Sequence, residues 1–427
     1  MAISQLYPNT RPTLNLNFAR SKTLDPRITF TRNSTATYVG SDGLIKTAAA
    51  GEARFDHNGN GDSLGLLIEE SRTNYNFYSN DFSNAHYSCY NLTKTNTTAP
   101  DGSNDAISFG EQSASPMTIN PSVSTQTFTS STASVYVKVF GSRQYFAIRE
   151  VNASNNWVRA VFDCTGEGSF QTVEGDVVTK TGFTPDIENV GNGWYRCSLN
   201  VKYSTAQQVG FYFGPSDSDT GGGATNGGYG VAVASPTANS GFVLWGYQQE
   251  AGDFPTSLIP TSGSTVTRLA DTAEITGDNF SSWWDSSEGS IVTIAENFPT
   301  NSGYRKAWEF NKGGTNPSHI ASGPTLVASN GSGTTFFQSP INGNYSNSTL
   351  TLGSTKFKTA FAFATGDIAG CGDGGSIQTN TSGLDPDVKR IHIGRNRSAG
   401  ETLNGTISRL AYYPTRLTDS QLQELTS

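Results

Sequence analysis

Hydrophobic and polar residues alternate along most of this chain, which is the pattern of β-strands with one buried face. In residues 133–140 (ASVYVKVF), Val135, Val137 and Val139 fall on one face, and aromatic or polar side chains fall on the other. Turn-forming Gly, Asn and Asp residues separate such stretches, so we predict a jelly-roll β-sandwich over residues 71–260. Its other predicted strands are residues 144–150, 156–163, 193–202, 209–214, 228–233 and 242–249.

A second set of alternating stretches predicts another β-sandwich over residues 261–427. A short helix follows its last strand, where Thr418 and Gln421 have the spacing of a capping box. Leu422 and Leu425 lie on one face of this helix, and we expect them to dock it on the sandwich. The predicted strands are residues 290–296, 307–311, 334–338, 348–353, 356–364, 389–394 and 405–413.

The strand pattern is weak in two other places. Gly252, Pro255 and Pro260 interrupt it, because proline brings no N–H to a ladder, and we interpret this stretch as the joint between the sandwiches. Residues 1–70 hold only short strands, with too few large apolar side chains for a core of their own. This amino-terminal region should therefore pack on a neighbouring domain, on another copy of the chain or on a partner protein.

Composition supports this pattern and limits the function. The 427 residues include 46 Gly and 11% aromatic residues, but only 15% are charged. The predicted fold class is therefore all-β: tandem antiparallel β-sandwiches after a short β-rich amino-terminal region. A formal net charge of −8 argues against nucleic-acid binding. There is no apolar run of membrane-spanning length and no signal-peptide pattern, so we expect no membrane insertion and synthesis in a cytosol.

Several stretches resemble structural proteins of tailed-phage virions. Residues 244–271 (LWGYQQEAGDFPTSLIPTSGSTVTRLAD) look like the closing strand and exit of a carbohydrate-binding-module-like jelly roll in those proteins, and residues 189–201 (NVGNGWYRCSLNV) look like one of its hairpins. Residues 15–57 and 65–74 (GLLIEESRTN) resemble their amino-terminal region. Residues 404–427 (NGTISRLAYYPTRLTDSQLQELTS) resemble the end of a concanavalin A-like (laminin-G-like) sandwich.

The resemblance implies a fibre, spike or knob component of the virion surface, on the tail or the capsid exterior, made in the host cytoplasm. It implies binding to host-surface polysaccharide or lipopolysaccharide, and attachment to other virion proteins through the amino-terminal region. A homo-oligomer is expected, a trimer by analogy with phage fibres. Two alternatives stay open: a capsid decoration or tail-assembly protein without a ligand, and a polysaccharide depolymerase.

Five aromatic residues are the candidates for glycan binding, because the apolar faces of sugar rings pack on aromatic side chains. Trp157 lies near a predicted hairpin turn, and Tyr145 and Tyr212 are placed to line a face of the jelly roll. Trp283 and Trp284 are adjacent, so one of them would point outward from a strand. Packing in a core or in a subunit interface is the alternative for all five.

No motif predicts catalysis, so we assign no catalytic residue and expect a protein that is not an enzyme. A GxSxG match at residues 61–65 falls in a Gly-rich β-region, whereas a nucleophile elbow needs a strand-to-helix turn. Glu69 and Glu70 are neighbouring carboxylates. On a strand they would point to opposite faces and would not flank one glycosidic bond.

Metal and cofactor binding have no motif either. The four histidines are scattered and no CxxC pair occurs, so no cofactor and no metal ligand are assigned. Structural calcium stays open, because jelly-roll modules often hold such an ion with oxygen ligands. Asp101 and Asp105, and Asp217 and Asp219, lie in Gly-rich turns, where aspartate also serves by hydrogen-bonding its own backbone.

Overall fold

The computed structural model describes most of the chain as antiparallel β-structure, which confirms the predicted fold class. The described residues are 7–112, 117–122, 125–152, 157–174, 180–219, 235–300, 303–312, 324–329, 335–341, 344–350, 356–381, 388–398 and 400–427. The predicted strand at residues 228–233 lies outside them, as does part of the one at 348–353. Among the helices of this described part, none has the length and apolar character of a membrane span.

Short strands occupy the amino-terminal part of the chain. They are β1 (Leu14–Asn17), β2 (Thr29–Thr31), β3 (Ala36–Val39), β4 (Ile45–Ala48), β5 (Phe55–His57), β6 (Ser63–Ile68) and β7 (Arg72–Asn74).

The strands of the jelly roll follow. They are β8 (Tyr87–Tyr90), β9 (Leu92–Thr97), β10 (Ala106–Glu111), β11 (Thr118–Pro121), β12 (Phe128–Phe140), β13 (Tyr145–Asn152), β14 (Trp157–Asp163), β15 (Ser169–Glu174), β16 (Lys180–Gly191), β17 (Trp194–Gln207), β18 (Val209–Ser216) and β19 (Gly241–Ala251).

The remaining elements are strand β20, which pairs with β7, and those of the second sandwich. They are β20 (Val266–Arg268), β21 (Thr272–Thr276), α1 (Gly277–Ser281), β22 (Gly289–Glu296), β23 (Arg305–Asn311), β24 (Thr325–Ser329), β25 (Thr335–Ile341), β26 (Asn344–Leu350), β27 (Phe357–Ala364), β28 (Asp367–Gly372), β29 (Gln378–Asn380), β30 (Arg390–Ile393), β31 (Gly405–Tyr413) and α2 (Asp419–Thr426).

The jelly roll packs two sheets face to face. The inner sheet, with strand order β16-β17-β12-β19-β10-β9, faces the amino-terminal region, and the outer sheet has the order β15-β14-β13-β18-β11-β8. Alternate residues of β12 face the core, as predicted: Val135 and Val137 are fully buried between the sheets. Tyr136, on the opposite face, packs against Trp245 of β19 at a centroid distance of 5.6 Å. Burial of such alternating side chains is the main force that holds the two sheets together.

The second sandwich contains strands from both ends of the chain. One sheet runs β29-β28-β27-β22-β31-β6-β5, with β1 also paired to β31, and the other runs β2-β21-β30-β23-β24-β25-β26. Leu14 and Leu16 of β1 enter the same core as Trp308 and Phe361. Residues 1–70 therefore do not form a separate unit. Of the three neighbours considered for this region, the structure shows the first, an adjacent domain of the same chain.

The carboxy-terminal helix docks as the sequence predicts. Thr418 and Gln421 form a complete capping box at the start of α2. Leu422 is fully buried and Leu425 partly buried against Ala360 and Tyr413, on the side of the sheet away from the main core. The helix therefore closes a small second core on this sandwich.

The chain enters and leaves the jelly roll side by side. Strand β7 leads in and β20 leads out, and the two pair antiparallel from Arg72 to Asn74. Beside them lies a buried ion cluster, in which Arg54 donates to Glu69 (2.7 Å) and to Asp271 (2.5 Å), and Arg32 donates to Asp271 (2.9 Å). These hydrogen bonds join the amino-terminal strands to the entry and exit segments.

The GxSxG match has no catalytic geometry. Ser63 begins strand β6, so the strand-to-helix turn of a nucleophile elbow is absent at this place. Gly65 has φ +103°, and a Cβ built on it would lie 2.2 Å from the carbonyl oxygen of Ile407 on β31. Because Gly65 has no side chain, β6 can pack closely on β31 at this position.

Candidate functional site

Three of the five predicted glycan-binding residues lie on one face of the jelly roll. Strand β13 pairs with β14 on one side and with β18 on the other. Its odd-numbered residues point away from the core, because Phe146 and Ile148 fill the space between the sheets. Tyr145 of β13, Trp157 of β14 and Tyr212 of β18 are all on this outward face, and all three are partly exposed.

Two arginines lie between these aromatic residues. Arg149 of β13 is directly opposite Arg159 of β14 on one side and Tyr212 of β18 on the other. Ala147 and Val161 form a small apolar floor, against which Tyr145 and Tyr212 pack. We call this surface the outer-face patch; its residues are Tyr145, Ala147, Arg149, Trp157, Arg159, Val161 and Tyr212.

The indole ring of Trp157 lies against both guanidinium groups. The Cζ atoms of Arg149 and Arg159 are 5.0 and 5.6 Å from its ring centroid, within the range of cation–π attraction. The two arginines are only 2% and 4% exposed. Trp157 is therefore a partly exposed aromatic ring with two positive charges close beneath the surface.

Burial and mutual repulsion act on these two charges. Burial lowers the pKa of Arg149, against the opposing effects of Tyr212 and Glu150. Burial also lowers the pKa of Arg159, and the charge of Arg149 lowers it further. Guanidinium groups do not lose their proton in proteins, so both side chains stay positive at neutral pH. The structure thus concentrates positive charge on one face of an acidic protein.

Trp283 and Trp284 are placed differently from the prediction. They follow helix α1 in a turn, so the alternation of a strand does not apply to them. Trp283 is 4% exposed and packs on Phe280 and Tyr412. Trp284 is partly buried and also packs on Tyr412, at a centroid distance of 5.2 Å. Both belong to the aromatic core of the second sandwich, which was the alternative considered for them.

Glu69 and Glu70 follow the end of β6 instead of lying on a strand, and they form separate ion pairs. Glu69 lies in the buried cluster with Arg54 and accepts from the Ser257 hydroxyl at 2.6 Å. Burial would raise the pKa of Glu69, but Arg268 and Arg54 outweigh it and hold this pKa well below its usual range. Glu70 accepts from Arg72 at 2.7 Å. Neither carboxylate is available to act with the other on one bond.

A cleft of about 500 Å³ separates the inner jelly-roll sheet from the amino-terminal strands and the second sandwich. Asp186 and Glu188, two residues apart on β16, both point into it. Asp56 lines the opposite wall and accepts a hydrogen bond from the Val39 N–H at 2.7 Å. Arg196 of β17 is directly opposite Glu188 in the strand register. Glu69 also lines the cleft, so four carboxylates and one guanidinium share this space.

Asp56, Asp186 and Glu188 all have pKa values above their usual range in this cleft. For Asp56, burial raises the pKa to about 7, against the Val39 hydrogen bond and Arg54 and with help from Glu188. Burial likewise raises the pKa values of Glu188 and Asp186, in each case against the charge of Arg196. Water that enters the cleft still reaches Asp186 and Glu188, since both side chains are exposed to it. Asp56, with a pKa of about 7, is therefore suited to exchanging a proton near neutral pH.

Three of the four aspartates considered for calcium accept hydrogen bonds from protein donors. The Ser103 hydroxyl donates to Asp101 at 2.6 Å and also to Asp105. Asp217 accepts from Arg143 at 2.8 Å and from the Ser235 N–H at 2.7 Å. Within the described residues, no group of three or more His, Cys, Asp or Glu side chains is arranged to hold a metal ion.

Part of the outer-face patch could have been predicted from strand alternation in the sequence. It places Arg149 on the face of Tyr145, and Arg159 on the face of Trp157, so both arginines were accessible to sequence reasoning. The approach of Asp56 to Asp186 and Glu188 was not, because it arises only through packing between distant segments.

Comparisons with known proteins add only general similarity of shape. No family model matches the chain, and no curated protein matches it. Among solved structures, it is similar to the CBM40 module of Ruminococcus gnavus IT-sialidase bound to α2,3-sialyllactose, with 15% identity, 33% of this chain and 83% of that chain covered, and a TM-score of 0.29.

Two further neighbours are similar at the same level. Domain 4 of the GH43 arabinanase AbnA from Geobacillus stearothermophilus, in complex with arabinotriose, shares 13% identity over 42% of this chain and 84% of that chain, with a TM-score of 0.28. Mouse laminin α1 domains LG4-5 share 8% identity over 81% and 88%, with a TM-score of 0.22. At these scores the neighbours carry no conclusion about what this chain binds.

Proposed function

We propose that the protein binds glycans through the outer-face patch, as an exposed structural component of a phage virion. The observation that carries the binding proposal is the convergence of Tyr145, Trp157 and Tyr212 on one outward face. Aromatic rings offer apolar contact to sugar C–H faces, and two arginine charges lie close beneath this surface. The virion role is supported by the resemblance of the amino-terminal, joint and carboxy-terminal stretches to tailed-phage proteins.

Multiple copies would compensate for a shallow site. The patch is a sheet face with one small apolar floor, so the affinity of one copy for one sugar is expected to be low. A homo-oligomer, or many copies on one particle, would convert weak single contacts into strong attachment to a cell surface. The proposal therefore includes host-surface polysaccharide as the partner and a location at the virion surface.

Glycan binding is tested by comparing two aromatic substitutions on an array of bacterial surface glycans. Trp157→Ala removes the central ring, whereas Tyr90→Ala removes a ring that is 50% exposed on edge strand β8 of the same sheet. We expect Trp157→Ala to weaken binding about tenfold or more and Tyr90→Ala to leave it unchanged. Equal binding by the wild type and both variants would contradict the role of the patch.

The virion role has its own test. Cryo-electron microscopy of the intact particle would locate the protein and count its copies. A few copies on the tail, with the outer-face patch exposed, would support host attachment. Many copies on the capsid lattice, with this face covered by neighbouring subunits, would support the decoration protein without a ligand instead.

Glycan hydrolysis in the cleft is a second candidate function. The observation in its favour is that Asp56, with a pKa near 7, shares the cleft with Glu188, because glycosidases use one protonated and one ionised carboxyl group. Release of reducing sugars from bacterial polysaccharide would support it, provided that Glu188→Gln abolishes the release. Polysaccharide that is bound but not cleaved would leave the protein as a binding protein.

A further inference from the structure

We infer that the outer-face patch prefers acidic glycans, in which the sugars carry carboxylate groups. This inference rests on the proposed function, because it names the class of ligand for the same site. Its basis is the arrangement of charge on the outward face of β13, β14 and β18.

The first step concerns the arginine pair. Arg149 and Arg159 are directly opposite each other on adjacent antiparallel strands. Like charges in this position repel, and the repulsion is stronger here than in water because both side chains are nearly buried. An anion that approaches this face is attracted by both guanidinium charges, whereas a neutral sugar is not.

The second step concerns the carboxylate on the same face. Among the described outward positions of β13, β14 and β18, Asp163 is the only acidic residue. It lies four residues from Arg159 along β14, which is roughly 13 Å in a strand. Its oxygens accept from Gln144 at 2.8 Å and from Thr165 at 2.6 Å. Glu150, next to Arg149, points to the core side, where it binds Lys180 and Tyr203.

The third step concerns how a ligand meets this charge. Trp157 is partly exposed, and both guanidinium groups lie within 5.6 Å of its ring centroid. A sugar that packs on this ring therefore brings its substituents into a positive field without having to displace the arginines. Such a field acts over several ångströms and is weakened by salt. The patch combines an aromatic contact with an electrostatic preference for carboxylate.

The inference is tested with the wild-type protein and chemically matched ligands. The probes are polygalacturonate, the same polymer after reduction of its carboxyl groups, and an array of neutral, carboxylated and phosphorylated bacterial oligosaccharides. We expect carboxylated glycans to bind at least about fivefold more tightly than their reduced forms, with a difference that shrinks as salt is raised from 0.05 to about 0.5 M. This comparison needs no variant, so a folding defect would not obscure it.

Variants then assign the preference to the arginines. Arg149→Gln and Arg159→Gln should each weaken binding to carboxylated glycans by a severalfold larger factor than binding to reduced glycans. Lys138→Gln, which removes a positive charge from the inner sheet, is the control and should change neither. Arg149→Lys keeps the charge and should retain the preference.

The outcomes separate this inference from the proposed function. Equal binding of carboxylated and reduced glycans, lost in Trp157→Ala, would overturn the acidic preference and leave glycan binding in place. A preference for phosphorylated over carboxylated sugars would overturn the assignment of carboxylate. No binding to any glycan on the array would overturn both.

Discussion

Arg54 and Asp271 are 217 residues apart in the chain and form an ion pair in which both side chains are fully buried. Arg54 also binds Glu69, and Asp271 also binds Arg32. The pair therefore connects the segment just before β5 to the segments through which the chain enters and leaves the jelly roll. This contact fixes the joint between the two sandwiches.

The Asp271→Asn substitution should destabilise the protein by about 3–5 kcal/mol, because it leaves Arg32 and Arg54 buried with less opposing charge. Asp25→Asn is the matched control, since Asp25 forms a partly exposed pair with Arg27 and its loss should cost less than about 1 kcal/mol. Urea unfolding, followed by circular dichroism, measures both. A loss below 1 kcal/mol for Asp271→Asn would show that the ion cluster does not stabilise the joint.

The contribution of Asp56 to stability should fall as the pH rises from about 4 to 7, whereas His392, whose pKa burial lowers to about 4, acts in the opposite direction over part of this interval. The pKa of Asp56 is raised to about 7, so the folded protein holds a proton that the unfolded chain releases near pH 4. The stability from this group is therefore complete below pH 4 and is lost as the pH rises through 7. Asp186 and Glu188, whose pKa values are also raised, act in the same direction.

Asp56→Asn tests this pH dependence, because asparagine keeps an acceptor for the Val39 N–H but does not ionise. The free energy of unfolding of this variant should decline less steeply between pH 4 and 7 than that of the wild type. Glu69 has the opposite sign: its pKa is lowered, so its contribution is lost only as the pH falls below 4.5. Identical slopes for the two proteins above pH 4 would contradict the raised pKa of Asp56.

Gly65→Ala should destabilise the second sandwich far more than Gly51→Ala. Both glycines have positive φ, but an added Cβ at Gly65 meets the backbone of β31, whereas at Gly51 it meets nothing within 4 Å. Gly51→Ala should therefore cost about 1–2 kcal/mol for its conformation alone, and Gly65→Ala clearly more. Thermal unfolding of the two variants makes the comparison. Equal losses would mean that β6 does not pack against β31 as closely as described.

Leu422→Ala should cost about 2–5 kcal/mol, because Leu422 is fully buried beneath helix α2. Ser420→Ala, on the exposed first turn of the same helix, should change stability by less than about 0.5 kcal/mol. Limited proteolysis at the carboxy-terminus would show whether the helix has detached. An intact, protease-resistant terminus and unchanged stability in Leu422→Ala would contradict the docking of α2.

Strand alternation predicted much of the fold because both sandwiches bury alternate side chains. Val135 and Val137 show this in the jelly roll, and the capping box at Thr418 shows that local chemistry also marks a helix start. The pairing of β1 and β6 with β31 was beyond prediction. Strand partners near opposite ends of a chain leave no local signal in either segment.

The candidate site, like the fold, could be predicted only in part from the sequence. Tyr145, Trp157 and Tyr212 were selected as single aromatic residues, and the sheet register brings them together. Trp283 and Trp284 were placed on a strand, but the short helix α1 turns the chain there and directs them into the core. Asp56 meets Asp186 and Glu188 in the cleft only through tertiary packing, which strand periodicity does not encode.

The central claim is that the outer-face patch binds glycan, and a crystal structure with a bound carboxylated oligosaccharide tests it most directly. The account predicts a sugar ring in contact with Trp157, Tyr145 or Tyr212, and a carboxylate closer to Arg149 and Arg159 than to Asp163. A saccharide bound only in the cleft beside Asp56 and Glu188, or only on the second sandwich, would contradict it.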